Sequence, residues 1–345
     1  MFDYKHQKGV DKMPIRLGVI GTGLAWEKLH WPALKTLGDK YEIAAVCNKT
    51  VSKAELFADS ISLPRDRVYS DYRLMIERDD LDAVDILVPI SENFEVARDV
   101  LRAGKHLIAE KPFAGDPGAA RELIALKNQK NLTVMVAENC LYDEDTLIIK
   151  DLLGGGSLGR AVSFTQTVCA DCETAVRGGG WFSKEWRRHP AFEGGVFLDG
   201  GIHDIARLRF LFGDVESLKA FGRPHDRDYC PYDTIAALLR FESGVIGQLT
   251  YCSSRAERVS PPSGLRIACE KGDIYLESKW CGNIIVARDG GATERRAFTP
   301  DYGYTGEMLN FWDALINGAA VVSTPESEIG DIEAVHAILR AAGEC

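Results

Sequence analysis

Lys111 stands in Glu110-Lys111-Pro112, at the end of the apolar run that starts at Gly104. A lysine just past a buried strand, with a rigid proline behind it, can be aimed into a cleft, where its ammonium stabilises negative charge developing on an oxygen. A solvated loop lysine is the alternative for that position taken alone. Asp199 and His203 lie four residues apart, a spacing that puts both on one face of a helix near its N-terminus. There the helix dipole disfavours an imidazolium, so a neutral imidazole is available to accept a proton. His203 as base, Lys111 as electrostatic partner and Asp199 as the group orienting His203 or holding a neighbouring hydroxyl would suit the oxidation of an alcohol, whose proton must leave with its hydride.

A hydride needs an acceptor, and the chain carries a place for one. Pro14 to Gly21 reads as a short strand, followed by Gly21-Thr22-Gly23-Leu24 and a helical pattern from Trp26 to Leu37. In that context Gly21 permits the tight turn and Gly23 lets a pyrophosphate approach the backbone at a helix start. Trp26 stands where the fingerprint has a third small residue. The tip after the second strand is Asn48-Lys49-Thr50 and holds no acid to accept ribose hydroxyls. Asn48, Lys49 and Thr50 suit a 2′-phosphate instead, which favours NADP over NAD, with a solvated turn lysine as the competing reading of Lys49. Pro89, after the strand Ala83 to Val88, and Glu110 complete the expected cofactor-binding set with Lys111.

These residues need a scaffold, and the pattern predicts one. Strands at Tyr41 to Cys47, Ala83 to Val88, His106 to Ala109 and Leu132 to Ala137 alternate with helices, among them Phe94 to Ala103 closed by Gly104 and one begun by Asp116-Pro117. That alternation means a doubly wound parallel Rossmann sheet over residues 13–139, with its strand ends, Lys111 included, along one edge. Residues 140–345 form an α+β domain. A helix from Tyr142 leads into a long strand, Arg160 to Cys169, and then a loop with Trp181, Trp186, Arg187 and Arg188. The tryptophans could pack on a sugar face and Arg187 could bind hydroxyls or an anion, against the alternative of a packing loop. A continuous helix from Asp199 to Phe212 and strands between Thr234 and Ala287 follow. An open antiparallel sheet with no helix for its second face predicts self-association.

Composition narrows the partners. A formal net charge of −10 over 345 residues opposes nucleic acid and anionic membranes, and 46% hydrophobic with 27% charged residues describes an ordinary globular chain. No apolar run reaches the roughly 20 residues of a membrane span, and Met1 to Lys12 lacks the apolar core of a signal peptide. Nine scattered cysteines fit reduced thiols and a cytoplasmic location. Cys169-Ala-Asp-Cys172 is a lone C-x-x-C without a second pair, so no metal is expected.

Three residue groups in order carry a resemblance. Val19-Ile20-Gly21-Thr22-Gly23 with His30-Trp31-Pro32-Ala33-Leu34, Gly104-Lys105-His106 through Glu110-Lys111-Pro112, and Gly194-Gly195-Val196-Phe197-Leu198-Asp199-Gly200-Gly201-Ile202-His203 make the chain resemble the glucose-fructose oxidoreductase and inositol dehydrogenase (Gfo/Idh/MocA) family. The resemblance implies a Rossmann domain followed by an open, mostly antiparallel sheet. It also implies NAD(P)-dependent dehydrogenation of sugars, cyclitols or related alcohols, and a homodimer or homotetramer formed through the open sheet. Tyr142 is a further substrate-contact candidate, with core packing as its alternative. The chain departs from the family pattern at Trp26, at Asn93 where a histidine is usual, and at Ala206 where a second aspartate often stands. Two other functions on the same fold are a non-enzymatic dinucleotide sensor and an enzyme that uses the nicotinamide transiently to cleave a glycosidic bond.

Overall fold

The structure is a computed structural model that describes residues 13–172, 175, 178, 181, 183–253 and 263–343. The signal-peptide reading of Met1 to Lys12 therefore falls outside the described residues. The chain divides into two compact units, one of residues 13–139 and 303–329, the other of 140–302 and 330–343 among those described. The return of 303–329 to the first unit lies beyond the 13–139 span that alternation of strands and helices marks out.

The first unit is a six-stranded parallel sheet. Strands β1 (Ile15–Ile20), β2 (Tyr41–Cys47), β3 (Val68–Tyr69), β4 (Ala83–Ile86), β5 (His106–Glu110) and β6 (Val134–Ala137) lie in the order β3-β2-β1-β4-β5-β6. Leu17, Val19, Val84, Ile86, Leu107 and Ile108 are fully or almost fully buried, as expected where helices cover both faces of a parallel sheet and strands read as unbroken apolar runs. Asp116 caps Pro117–Lys130 through its carboxylate, which accepts from Gly118 and Ala119 N–H. The crossover helix Ile90–Arg102 begins directly after Pro89, four residues earlier than its apolar pattern suggests, and so includes Asn93.

The first helix is not regular. Trp26–His30 is a π-helical turn that passes into Trp31–Thr36, and the Trp31 N–H donates to Trp26 O. The wider turn stacks residues five apart, and the Trp26 and Trp31 rings lie 5.7 Å from each other while Phe57 meets Trp26 edge-on at 5.1 Å. The same turn points His30 into the interior. Trp26 thus fills the fingerprint's third position from within a π-helical turn, buried against Trp31 and Phe57.

The second unit holds an eight-stranded mixed sheet. Its strands are β7 (Ala161–Cys169), β8 (Val215–Arg227), β9 (Cys230–Phe241), β10 (Ile246–Cys252), β11 (Gly264–Cys269), β12 (Gly272–Leu276), β13 (Asn283–Arg288) and β14 (Thr293–Ala297). Their order is β14-β13-β12-β11-β7-β10-β9-β8, antiparallel throughout except for β7 with β10. Strands β8 and β14 are missing from the sequence reading because they are the two edges. Edge strands carry charges and proline that protect them, as in Lys219, Arg223 and Pro224 of β8 and Glu294, Arg295 and Arg296 of β14. Helix Ile202–Phe212 covers one face, with Phe212 against Phe164 and Phe241 at 5.4 Å each.

The expected helix Asp199 to Phe212 is broken. Val196–Asp199 forms one short turn, Gly200 and Gly201 intervene, and Ile202–Phe212 follows. Two adjacent glycines are poor helix formers, and their small size is needed: a Cβ on Gly201 would lie 2.5 Å from the Phe197 ring.

Candidate active site

In the first unit, Lys111 sits in a turn held from several directions. Asn93 donates its amide to Glu110 O at 3.1 Å and Pro112 O at 2.9 Å, gripping the backbone on both sides of the lysine. The carboxylate of Glu328 accepts the Phe113 N–H at 3.0 Å. Glu110 Oε2 accepts the N–H of Lys111 itself at 3.2 Å. The Lys111–Pro112 peptide is cis. The turn directly follows β5, so the carboxyl end of a parallel strand presents the lysine, the edge where such folds bind ligands.

The glycine turn follows β1, at the same end of the sheet as the lysine turn. Gly21 has φ +103°, and a Cβ there would stand 2.2 Å from Leu87 O, so no other residue fits. A Cβ on Gly23 would meet nothing within 4 Å, which leaves that side of the turn open for a phosphate to approach the backbone. Thr22 is buried and its hydroxyl accepts from Asn48 Nδ2 at 3.1 Å, while Asn48 Oδ1 accepts the Thr50 N–H at 2.9 Å. Asn48 therefore ties the glycine turn to the tip after β2. Lys49 is exposed and pairs with Glu92 at 2.7 Å. Leu24 is half-buried beside the turn, and Pro89 caps the crossover helix. These groups fit a dinucleotide.

Behind these loops lies a charge cluster that the sequence reading missed. His30 is fully buried, with Nδ1 at 2.8 Å from Asp85 Oδ2, Nε2 at 3.3 Å from Glu110 Oε1 and at 4.0 Å from Glu307 Oε1. Burial opposes a charge on the ring, yet Asp85 and Glu110 outweigh it and raise its pKa well above the ordinary histidine value. Burial raises the Glu307 carboxyl well above its usual range. One sign was legible beforehand: Asp85 is a charged residue inside an otherwise apolar strand. Glu307 and Glu328 gave none, since they lie some two hundred residues on.

In the second unit, His203 is the second residue of Ile202–Phe212. Cys140 donates its thiol to His203 O at 3.2 Å. One turn on, Arg207 sets its buried guanidinium 3.3 Å from Asp143 and 3.7 Å from Asp145. Burial pushes the Asp143 carboxyl up to about 6 against the pull of Arg207. Asp199 is engaged by Arg187, whose Nε lies 2.5 Å from one carboxylate oxygen and Nη2 3.3 Å from the other. The Arg187 guanidinium also lies over Trp186 at 4.2 Å and Trp181 at 5.6 Å. The four residues Trp181, Trp186, Arg187 and Asp199 thus form one assembly, a link that sequence spacing alone did not suggest. Tyr142 is buried, in keeping with the packing alternative.

Two family descriptions match this chain. Residues 15–138 match the oxidoreductase family with the NAD-binding Rossmann fold, and residues 146–275 match the Gfo/Idh/MocA C-terminal domain. The chain belongs to the Gfo/Idh/MocA oxidoreductase family. An uncharacterized protein of Saccharomyces cerevisiae is 26% identical over 96% of this chain and 97% of its own length. The dTDP-3,4-didehydro-2,6-dideoxy-alpha-D-glucose 3-reductase of Actinomadura kijaniata is 31% identical, covering 69% of this chain and 68% of the reductase. An oxidoreductase structure from Thermotoga maritima superposes with a TM-score of 0.84 at 28% identity, over 96% of this chain and 97% of that one. This Gfo/Idh/MocA chain therefore has an NAD(P)-binding Rossmann domain and a mixed-sheet second domain.

Proposed function

We propose that this protein transfers a hydride between the nicotinamide of NAD(P), with NADP preferred, and a secondary alcohol or ketone carbon of a sugar, cyclitol or related polyol. The observation that carries it is the lysine turn: an NAD-binding domain spends two amide hydrogen bonds from Asn93 and a Glu328 carboxylate on fixing the backbone around Lys111. Holding a loop that firmly has a use when a charge must be preorganised. The nicotinamide, when bound, supplies the hydride acceptor or donor. His203 takes the hydroxyl proton during oxidation and returns it during reduction. Lys111 donates to the substrate oxygen and lowers the cost of its developing negative charge. Arg187 holds both carboxylate oxygens of Asp199 beside the helix that carries His203, and Trp181 and Trp186 offer an apolar face to a sugar ring.

The Actinomadura kijaniata relative is by name a reductase of a keto-deoxysugar nucleotide, which supports the sugar class. For the coenzyme, Asn48, Lys49 and Thr50 stand where an acid would select NAD. The exposed Lys49–Glu92 pair is weak, so Lys49 is free to turn to a 2′-phosphate at little cost. Eight free thiols among the described residues agree with a reducing compartment, the cytoplasm in this proposal.

Coenzyme absorbance followed with inositols, aldoses and keto-sugars tests the assignment, with NADPH and NADH compared. Lys111→Ala and His203→Ala should each lower kcat by roughly 10²–10⁴-fold, the usual range for a lost acid–base or oxyanion group, with coenzyme affinity nearly unchanged in His203→Ala. Turnover untouched by both substitutions would sink the mechanism. Release of free sugar with no net change in coenzyme would move the protein to glycosidic cleavage.

A further inference from the structure

The buried cluster around His30 has no part in the proposed proton and hydride transfers. It is nonetheless built around the lysine turn. Both ring nitrogens of His30 face carboxylate oxygens, Nδ1 that of Asp85 at 2.8 Å and Nε2 that of Glu110 at 3.3 Å. A neutral imidazole has one N–H and would set a lone pair against one of those oxygens; a doubly protonated ring donates toward both. Glu110 in turn divides its carboxylate, one oxygen toward His30 and the other accepting the Lys111 N–H. Asp85 on β4 is thus hydrogen-bonded to His30, whose Nε2 lies in ion-pair contact with Glu110 without hydrogen-bond alignment, and Glu110 accepts from the backbone of Lys111.

We propose that His30, held doubly protonated by Asp85, is a positioning residue that fixes the Glu110–Pro112 turn through the Glu110 carboxylate. The importance of this turn for turnover rests on the function proposed above for Lys111; the latch itself does not. The groups facing the ring are Asp85 on β4, Glu110 on β5, and Glu307 and Tyr304 on the helix Tyr304–Asn317, the Tyr304 ring lying 6.2 Å away. Tyr41 on β2 donates to Met308 O at 2.6 Å, and Glu138 after β6 acts on Glu307. Of these, Asp85 and Glu110 are the two close enough to take the ring's protons. Burial by itself works against a charged ring, and the Asp85 and Glu110 carboxylates outweigh it, which agrees with the geometry.

Three measurements on the full-length chain decide it. In protein labelled with ¹⁵N-histidine, His30 should show both imidazole N–H signals at pH 7.5, absent in His30→Gln; a singly protonated ring there overturns the proposal. Hydrogen exchange of a peptide spanning 106–116 should accelerate by about fivefold or more in His30→Gln and in Glu110→Gln, with β1 and β4 peptides changing less than about twofold. Unchanged exchange in that peptide, or equal acceleration everywhere, also overturns it. Glu110→Gln keeps the side chain's shape, so it serves if His30→Gln does not fold. With whichever panel sugar turns over fastest, Glu110→Gln should lower kcat about tenfold, yet add nothing in a Lys111→Ala background. An additive loss would mean that Glu110 acts other than through Lys111 and would overturn the positioning role. If Lys111→Ala alone has no effect while the first two measurements hold, the latch stands and it is the assigned function of Lys111 that fails.

Discussion

Glu307 is a residue whose ionisation inside the fold is costly. Both of its carboxylate oxygens are buried without a hydrogen-bond partner among the described residues, and burial raises its pKa well above the carboxylate range. In the unfolded chain the group ionises above its ordinary value, so folding at neutral pH must take up a proton. That cost is absent below about pH 4.5 and grows by about 1.4 kcal/mol per pH unit until the folded-state value is passed. Glu307→Gln should therefore raise the midpoint of thermal unfolding at pH 7.5 and leave it almost unchanged at pH 4.5, as calorimetry at both values would show. His30 runs the same way by the opposite charge logic. Its raised value gives stability fully present below about 6.5 and lost as pH climbs through the folded-state value, so His30→Gln should be most destabilising near pH 6. An equal loss at pH 6 and pH 9 would contradict that assignment.

At the scale of elements, the helix Ile90–Arg102 acts as a clamp through one side chain. Asn93→Ala removes the amide that donates to Glu110 O and Pro112 O, which should cost about 1–3 kcal/mol in chemical denaturation and lower kcat more than coenzyme affinity. An unchanged kcat would show that Glu328 and Glu110 hold the turn unaided. Gly21→Ala, which drives a Cβ into Leu87 O at 2.2 Å, should abolish coenzyme binding as read by fluorescence titration. The central strands and the glycine and lysine turns were legible from the chain because apolar runs bounded by glycine and proline have local causes. The edge strands β8 and β14 were not, since their charge pattern answers to solvent and not to the core. Nor was the role of Asn93: as a departure from the family's usual histidine it is visible, but its two acceptors lie 17 and 19 residues away and only the fold brings them together. The break at Gly200 and Gly201 likewise depends on Phe197 packing that spacing does not reveal.

For the whole molecule, the mixed sheet leaves a second face open. Register places Phe221, Leu238 and Ile246 on the side opposite the buried Ala237, Leu239 and Leu249, with exposures of 67%, 60% and 48%. Three large apolar side chains on one sheet face ask for a cover, and a second copy of the chain is the proposed one. Sedimentation at micromolar concentration should give a dimer or tetramer, and Leu238→Asp should shift it toward monomer while the far-ultraviolet dichroism stays the same. A wild-type monomer would remove the proposal. Among the described residues no helix is long and apolar enough to cross a membrane. The first unit's split along the chain bears on how the protein is made. Tyr41 must find its acceptor on Met308, and Val136 its acceptor on Ser323, so a ribosome that has just finished β6 has not yet delivered the parts that close the unit. The nascent Rossmann sheet waits through the synthesis of about half the protein before its last helix arrives, and until then it is a client for whatever shields unfinished domains in the cell.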